Sequence, residues 1–362
     1  MNRLEFKILP PVLQPAEPIR ICGNLPELGS WLPADALTLD WQEPWHTATL
    51  DIPTGFRIEY KILRDDWPNE EVSAFNNILD NHTLIPHQNQ IRQHVVANWK
   101  DRIPGELTRT TVGSALLGDE VELLVWLPPS YRSSDRRFPV LVLHDGNHLF
   151  NPSTCGSSLI DWAVDEWVTR LAMEGAFPEA IVVGICESEG MVNEDLSHRD
   201  RELSPSLDGE TYARFVIEEL VPFLDEHYRT LGTPESRILG GASLGALNAL
   251  HTAITYPGTF SKYLCLSTAF EDVSGAPPEA SAMLQRLESL DRLPDDTRIY
   301  FDYGTLGLDE CYDPYHVELG GILREKGWKE GDSFAVRRVP GSSHDDLSWR
   351  QRLPDALQFL AG

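Results

Sequence analysis

The 362-residue chain has no apolar run approaching the ~18 residues that a membrane-spanning helix needs. Its first residues, MNRLEFKILPPVLQPAEP, lack the apolar core and small-residue cleavage site of a secretory signal. Cysteine is scarce: Cys22, Cys155, Cys186, Cys265 and Cys311 are scattered, odd in number and not at metal-ligand spacing. These features exclude a disulfide framework and lead us to expect reduced thiols and a cytoplasmic protein. Cationic residues are also few, 30 Lys and Arg against 56 Asp and Glu, for a formal charge of -26. Nucleic-acid backbones and anionic bilayers recruit clustered Lys and Arg, so neither is expected as a partner. The first hundred residues hold 8 basic and 13 acidic side chains and the rest hold 22 and 43, so the surplus lies mainly in the longer C-terminal part. Internal repeats and low-complexity tracts are absent.

What is present divides in two, as expected for a chain too long for one ordinary core. Up to about residue 100, short alternating stretches such as RICGNL, HTATLDI, FRIEYKIL and HTLIPH are punctuated by Gly, Pro, Asn and Asp. This predicts a small all-β sandwich over residues 1–100. From about residue 118 the rhythm changes to compact apolar runs: EVELLVWLP, FPVLVLHDG, EAIVVGI, SRILGGAS and TRIYFDYG. Helical stretches at 159–173, 209–228 and 244–256 lie between them. Strands alternating with helices predict an α/β domain with a mostly parallel sheet over residues 101–362, the boundary falling near VANWKDRIPGE.

One motif carries chemistry. In SRILGGASLGALNALHTAITYP, a buried strand ends in glycines, Ser243 follows, and a helix of small and apolar residues begins at once. A Gly-x-Ser-x-Gly sequence between strand and helix is a nucleophile elbow, which exposes the serine hydroxyl above the strand ends. The amide of Leu244 at the helix start would face a developing oxyanion. A serine hydroxyl needs a base, and three histidines follow it: His251, His316 and His344. His251 lies two turns into the elbow helix and His316 in a helical stretch. His344, between a strand and the final helix, sits where the base belongs. The acid should follow the strand TRIYFDYG. Asp302 lies inside that strand, and Asp313 before Pro314 reads as a helix N-cap. Asp309 is then the first choice and Glu310 the second. A second oxyanion donor is expected in HDGNH, where Gly146 permits a tight turn and the amide of Asn147 is the candidate. His144 and His148 straddle that turn without a third ligand, so neither a metal site nor a cofactor is expected.

Here the sequence resembles a known family. Residues 105–362 resemble the enterochelin-esterase-like branch of the α/β-hydrolases, related to feruloyl esterases. WLPPSY, VLVLHDGNHLF, HRDRELSP, FVIEELVPFLDEHYRT, ILGGASLGALNAL and HDDLSWRQRLPDAL carry the resemblance, in the family's order. The family's serine falls on Ser243, its late histidine on His344, its acid in GTLGLDE with Asp309 the match, and its oxyanion loop on HDGN. One departure is Gly245-Ala246, where the family often has Gly-Gly. The N-terminal region resembles a starch-binding type of carbohydrate-binding module, through ICGNLPELGSWLPADALTL and PWHTATLDIPTGFRIEYKILRDDW. Such modules present two tryptophans and a lysine to glucan. Trp31 and Lys61 match by motif and Trp67 by proximity, while the usual Asn-Arg pair is replaced by Asn76-Asn77.

The resemblance implies a serine carboxyl-ester hydrolase with a Ser-His-Asp triad and an acyl-enzyme intermediate. Acylated carbohydrate or siderophore-type esters are its expected substrates, with an α-glucan as a further ligand. Ferric siderophores are anionic and suit an acidic chain less well, unless Arg199 and Arg201 form a basic pocket. Two alternatives stand beside this reading: a glucan-binding protein whose hydrolase domain is a scaffold, and an acyltransferase using the same triad.

Overall fold

The computed structural model describes all residues except 1, 12–17, 74–77, 101–104, 156–157, 159, 189, 195, 271–278 and 291–292. The chain forms two compact units, one comprising Met1–Pro104 and Phe150–Glu166, the other Gly105–Leu149 and Trp167–Gly362. Residues 150–166 thus group with the smaller unit, whereas the sequence pattern places one boundary after residue 100.

The larger unit is built on one eight-stranded sheet. Its strands are β1 (Glu106–Ser114), β2 (Asp119–Leu127), β3 (Val140–Leu143), β4 (Ile181–Ile185), β5 (Arg237–Ala242), β6 (Lys262–Leu266), β7 (Arg298–Tyr303) and β8 (Phe334–Arg338). They lie in the order 1-2-4-3-5-6-7-8. β2 runs antiparallel to β1 and β4, and every other pairing is parallel. The central strands are buried along their whole length, as the VLVL of β3 and the IVVGI of β4 require when both faces are covered. The edge strand β1 instead alternates, because only one of its faces is packed. One core runs from Val125, Val142 and Val183 on the sheet to Leu247 and Leu250 on the helix Leu244–Thr255 and Leu319 and Leu323 on the helix Asp313–Glu325.

The expected helix over 209–228 is present with a defect. Gly209–Phe215 and Val221–His227 are α-helical, and Val216–Leu220 between them is a π turn. Pro222 lacks an amide hydrogen and cannot continue the i→i-4 ladder, which accounts for the bulge in the preceding turn. Asp313 is corrected as a helix cap: Tyr312 occupies that position, and the Asp313 carboxylate receives Tyr303 Oη and Arg338 Nε, each at 2.9 Å.

The smaller unit has two four-stranded sheets. One has the order Asp40–Gln42, Trp45–Ile52, Asn2–Leu9, Gln90–Val95, and the other the order Leu37–Thr38, Ile19–Gly23, Ile58–Arg64, His82–Leu84. A short pair, Glu71–Val72 with Asn98–Trp99, completes it. Leu4, Phe6 and Ile8 alternate inward from one sheet and meet Ile21, Ile58, Tyr60 and Ile62 from the other. That two-residue period is what a sandwich demands. Among the described residues no helix is long and apolar enough to cross a membrane.

Candidate active site

The candidate residues of the larger unit all follow carboxyl ends of parallel strands. Ser243 directly follows β5 and precedes the helix Leu244–Thr255, with φ 57° and ψ -122°. A non-glycine residue there carries about 1–3 kcal/mol of strain, so the surroundings must hold it. The Ser243 amide donates to the Leu266 carbonyl at 2.9 Å, and its carbonyl accepts from Ala269 at 3.2 Å and Leu247 at 3.1 Å. Close packing explains the flanking glycines. A Cβ on Gly241 would lie 3.0 Å from the Gly245 carbonyl carbon, and one on Gly245 would lie 3.0 Å from His144 Cβ. Ala246 is fully buried, so the departure from Gly-Gly is absorbed.

His344 Nε2 lies 3.0 Å from Ser243 Oγ, and its Nδ1 lies 2.6 Å from Asp309 Oδ1. Asp309, rather than the exposed Glu310, is the carboxylate that meets the imidazole. His251 and His316 are elsewhere: His251 Nε2 pairs with Glu210 at 2.9 Å, and His316 is buried with Nδ1 on the Tyr312 carbonyl. The imidazole of His344 has Tyr312 and Trp349 edge-to-face at 5.7 and 5.0 Å.

Asp309 is fully buried. Its Oδ2 accepts from Ser267 Oγ at 2.7 Å and from the Gly304 amide at 2.5 Å. Ser267 Oγ in turn accepts from Trp349 Nε1 at 3.0 Å and Arg352 Nη2 at 2.7 Å, so its one proton is directed to Asp309. Burial alone would raise the Asp309 pKa, but hydrogen bonds from His344, Ser267 and Gly304 outweigh it and hold the group below the ordinary aspartate value. Asp302, inside β7, faces Arg352 Nε at 3.6 Å, and burial pushes its pKa up to about 7. Ser267, Trp349 and Arg352 were not singled out in the sequence, since nothing local marks a partner 42 or 85 residues away.

Asn147 lies in the turn Gly146–His148 after β3. Asp145 opens it with φ 58°, and a Cβ on Gly146 would lie 2.7 Å from the Gly184 carbonyl carbon, so only glycine fits. A polar frame fixes the turn. Arg199 binds the buried Asp145 carboxylate through Nε at 2.5 Å and Nη2 at 2.8 Å. Arg199 also faces Glu187 at 3.5 Å, and Arg201 pairs with Asp208 at 2.9 Å. The basic pocket entertained for Arg199 and Arg201 is therefore corrected, because carboxylates already occupy both guanidinium groups. His148 Nδ1 contacts Asp346 at 3.0 Å, at the start of the helix Asp346–Ala361. Burial would lower the His148 pKa, but Asp346, Glu187 and Asp145 overcome it and raise it to about 10.

In the smaller unit, the rings of Trp31 and Trp67 lie 6.4 Å apart with planes 25° from parallel, both half-buried. Ser30 and Trp31 both have positive φ, and Asp66 caps the turn that carries Trp67. Lys61 does not extend this surface as expected. It is 8% exposed, and its ammonium donates to the Leu79 carbonyl and faces Glu70 at 3.5 Å. Asn76 and Asn77 lie outside the described residues.

A sheet of this order, with a serine on a strained strand-to-helix turn and a histidine within hydrogen-bond reach, defines an α/β-hydrolase. The chain belongs to the family described as "Putative esterase", which matches residues 114–360, and is thereby a carboxylic ester hydrolase. Residues 2–95 match the starch binding domain family. A curated relative, the uncharacterized protein YbbA of Bacillus subtilis (strain 168), is 24% identical over 251 residues, 66% of this chain and 91% of its own length. Similar folds occur in a ferulic acid esterase (19% identity, TM-score 0.55, 71% of this chain and 98% of that one). The enterobactin esterase FES from Shigella flexneri, solved with 2,3-di-hydroxy-N-benzoyl-serine, is similar over 96% of this chain and 88% of its own, at 16% identity and TM-score 0.53.

The raised pKa of His148 makes a prediction about stability. Its folded value, about 10, lies above the ordinary histidine value of 6.5. The contribution is complete below about pH 6.5 and is lost as pH rises toward about 10. His148→Gln should therefore lower the melting temperature more at about pH 6 than at about pH 10. Thermal unfolding at the two pH values checks this, and an equal drop at both would contradict it.

Proposed function

We propose that this carboxylic ester hydrolase works through Ser243 as nucleophile, His344 as general base and Asp309 as the acid that orients it. The observation that carries the reading is the unbroken line of hydrogen bonds from Ser243 Oγ through both nitrogens of His344 to Asp309, 3.0 and 2.6 Å long. His344 Nε2 takes the Ser243 proton as Oγ attacks the ester carbonyl carbon. Asp309 accepts the Nδ1 hydrogen bond and stabilises the imidazolium that forms. The tetrahedral oxyanion is held by the amides of Leu244 and Asn147. Collapse expels the alcohol, which receives the proton from His344. Water, deprotonated by His344, then releases the acid from the acyl-enzyme.

For the substrate we favour an uncharged ester of a carbohydrate. Arg199 and Arg201 are already neutralised by Asp145 and Asp208, and the chain carries a charge of -26, which disfavours a polyanionic iron complex. The match to a starch binding domain points the same way. In this reading Trp31 and Trp67 stack on the apolar faces of glucan rings. Lys61 props the loop at Leu79 rather than touching sugar.

Ser243→Ala should lower kcat on p-nitrophenyl acetate by about a millionfold, and retention of most of the activity would remove the assignment. The glucan reading has a separate test. Calorimetry should show β-cyclodextrin binding to the wild-type chain and its loss in Trp31→Ala. Absence of heat, or unchanged binding by the variant, would refute it.

A further inference from the structure

Three side chains of the smaller unit converge in a way that ester hydrolysis does not use. Glu71 is 3% exposed, and its two oxygens are each met by a histidine: Oε2 by His82 Nε2 at 2.8 Å and Oε1 by His94 Nε2 at 2.5 Å. Among the described residues, this is the one group of three or more His, Cys, Asp or Glu side chains with converging donor atoms, all within 4.8 Å of one another. We propose that Glu71, His82 and His94 form a binding site for a single divalent transition ion, with Zn2+ the best match to the donors.

The donor set has the right chemistry. Two neutral imidazole nitrogens and one carboxylate form a three-ligand zinc set, with a fourth tetrahedral position left to water or an outside ligand. At zinc bond lengths near 2.0–2.1 Å, tetrahedral donors stand about 3.3 Å apart. The three donor atoms already lie within 4.8 Å of one another, so small side-chain rotations bring them to that spacing. The site is also reachable, because the side chains of His82 and His94 keep 14% and 18% exposure.

The setting is built. The ring of His82 stacks on Tyr60 at 5.1 Å and meets His94 edge-on at 4.7 Å. Tyr60 is itself fixed, packed against Phe6 at 5.3 Å with its hydroxyl accepting from Arg92 Nε at 3.2 Å. The adjacent acid, Glu70, is served by lysines instead, with Lys61 at 3.5 Å and Lys100 at 2.6 Å. Neighbouring carboxylates therefore have distinct partners, lysines at Glu70 and histidines at Glu71.

The placement says what an ion would do. His82 lies on the edge strand of one sheet, His94 on the edge strand of the other, and Glu71 on the separate short pair. These strands share no ladder, so an ion bound by all three would clip together the open side of the sandwich. Binding to the folded chain alone raises its stability by mass action. The donors are 11 and 12 residues apart on three strands, a spacing that matches no local metal motif.

The test uses the full chain, stripped with EDTA and titrated with ZnCl2 by calorimetry, with Co2+ absorption as a second readout. One equivalent should bind, the melting transition of the smaller unit should rise, and Co2+ should give the intense visible bands of a tetrahedral site. His82→Ala/His94→Ala should abolish all three effects, and Glu71→Gln should weaken binding at least tenfold. If the double variant loses its β-sheet circular dichroism, His94→Gln replaces it, with the same loss expected. The proposal is overturned if the stripped wild-type chain takes up no Zn2+ at millimolar concentration. It is equally overturned if folded variants bind as the wild type does.

Discussion

A buried carboxylate must have both oxygens satisfied, and at Asp309 that requirement organises the candidate site. One oxygen orients His344, and the other is held by the Gly304 amide and by Ser267. Ser267 can donate to Asp309 only because Trp349 and Arg352 fill its acceptor positions. Trp349 also packs edge-on against the His344 ring, so the C-terminal helix serves both partners. The arrangement keeps Asp309 ionised at zero exposure, where a carboxyl group without partners would protonate. The imidazole is thereby held with Nε2 toward Ser243.

The Ser243 side obeys a steric constraint of similar strictness. Ser243 sits at positive φ because β5 passes directly into a helix, and the turn fits only if its glycines let it approach His144. The turn after β3 is equally tight, with Gly146 pressed against Gly184 and Asp145 in the left-handed region. Arg199 and His148 hold that turn from two sides, through Asp145 and Asp346. The guanidinium and imidazole groups of Arg199 and His148 thus belong to the scaffold.

How much of this the sequence disclosed depended on whether the signal was local. Ser243 was legible because strand, turn and helix are contiguous, and His344 because only one later histidine lies in a loop before the final helix. The sequence ranks Asp309 ahead of Glu310 by a narrow margin, since adjacent carboxylates in one loop differ in direction and not in pattern, and the fold shows which one meets His344. Ser267, Arg352 and the role of Arg199 were hidden because their contacts span 42, 85 and 54 residues. Among strands, the buried runs of β3 and β4 stood out. β1 did not, because an edge strand such as ELTRTTVGS alternates with polar residues, and neither did the five-residue β6. Lys61 matched by motif, yet the acid at Glu70 and the carbonyl at Leu79 decide where its ammonium goes. The Glu71, His82 and His94 cluster had no spacing to betray it.

The central claim is that Ser243 is the residue acylated during turnover. Its most direct test is covalent capture with an alkyl fluorophosphonate, followed by intact-mass measurement and peptide mapping. The account predicts one adduct per chain, on Ser243, formed in step with the loss of esterase activity. An adduct on another residue, or full activity after complete labelling of Ser243, would contradict it.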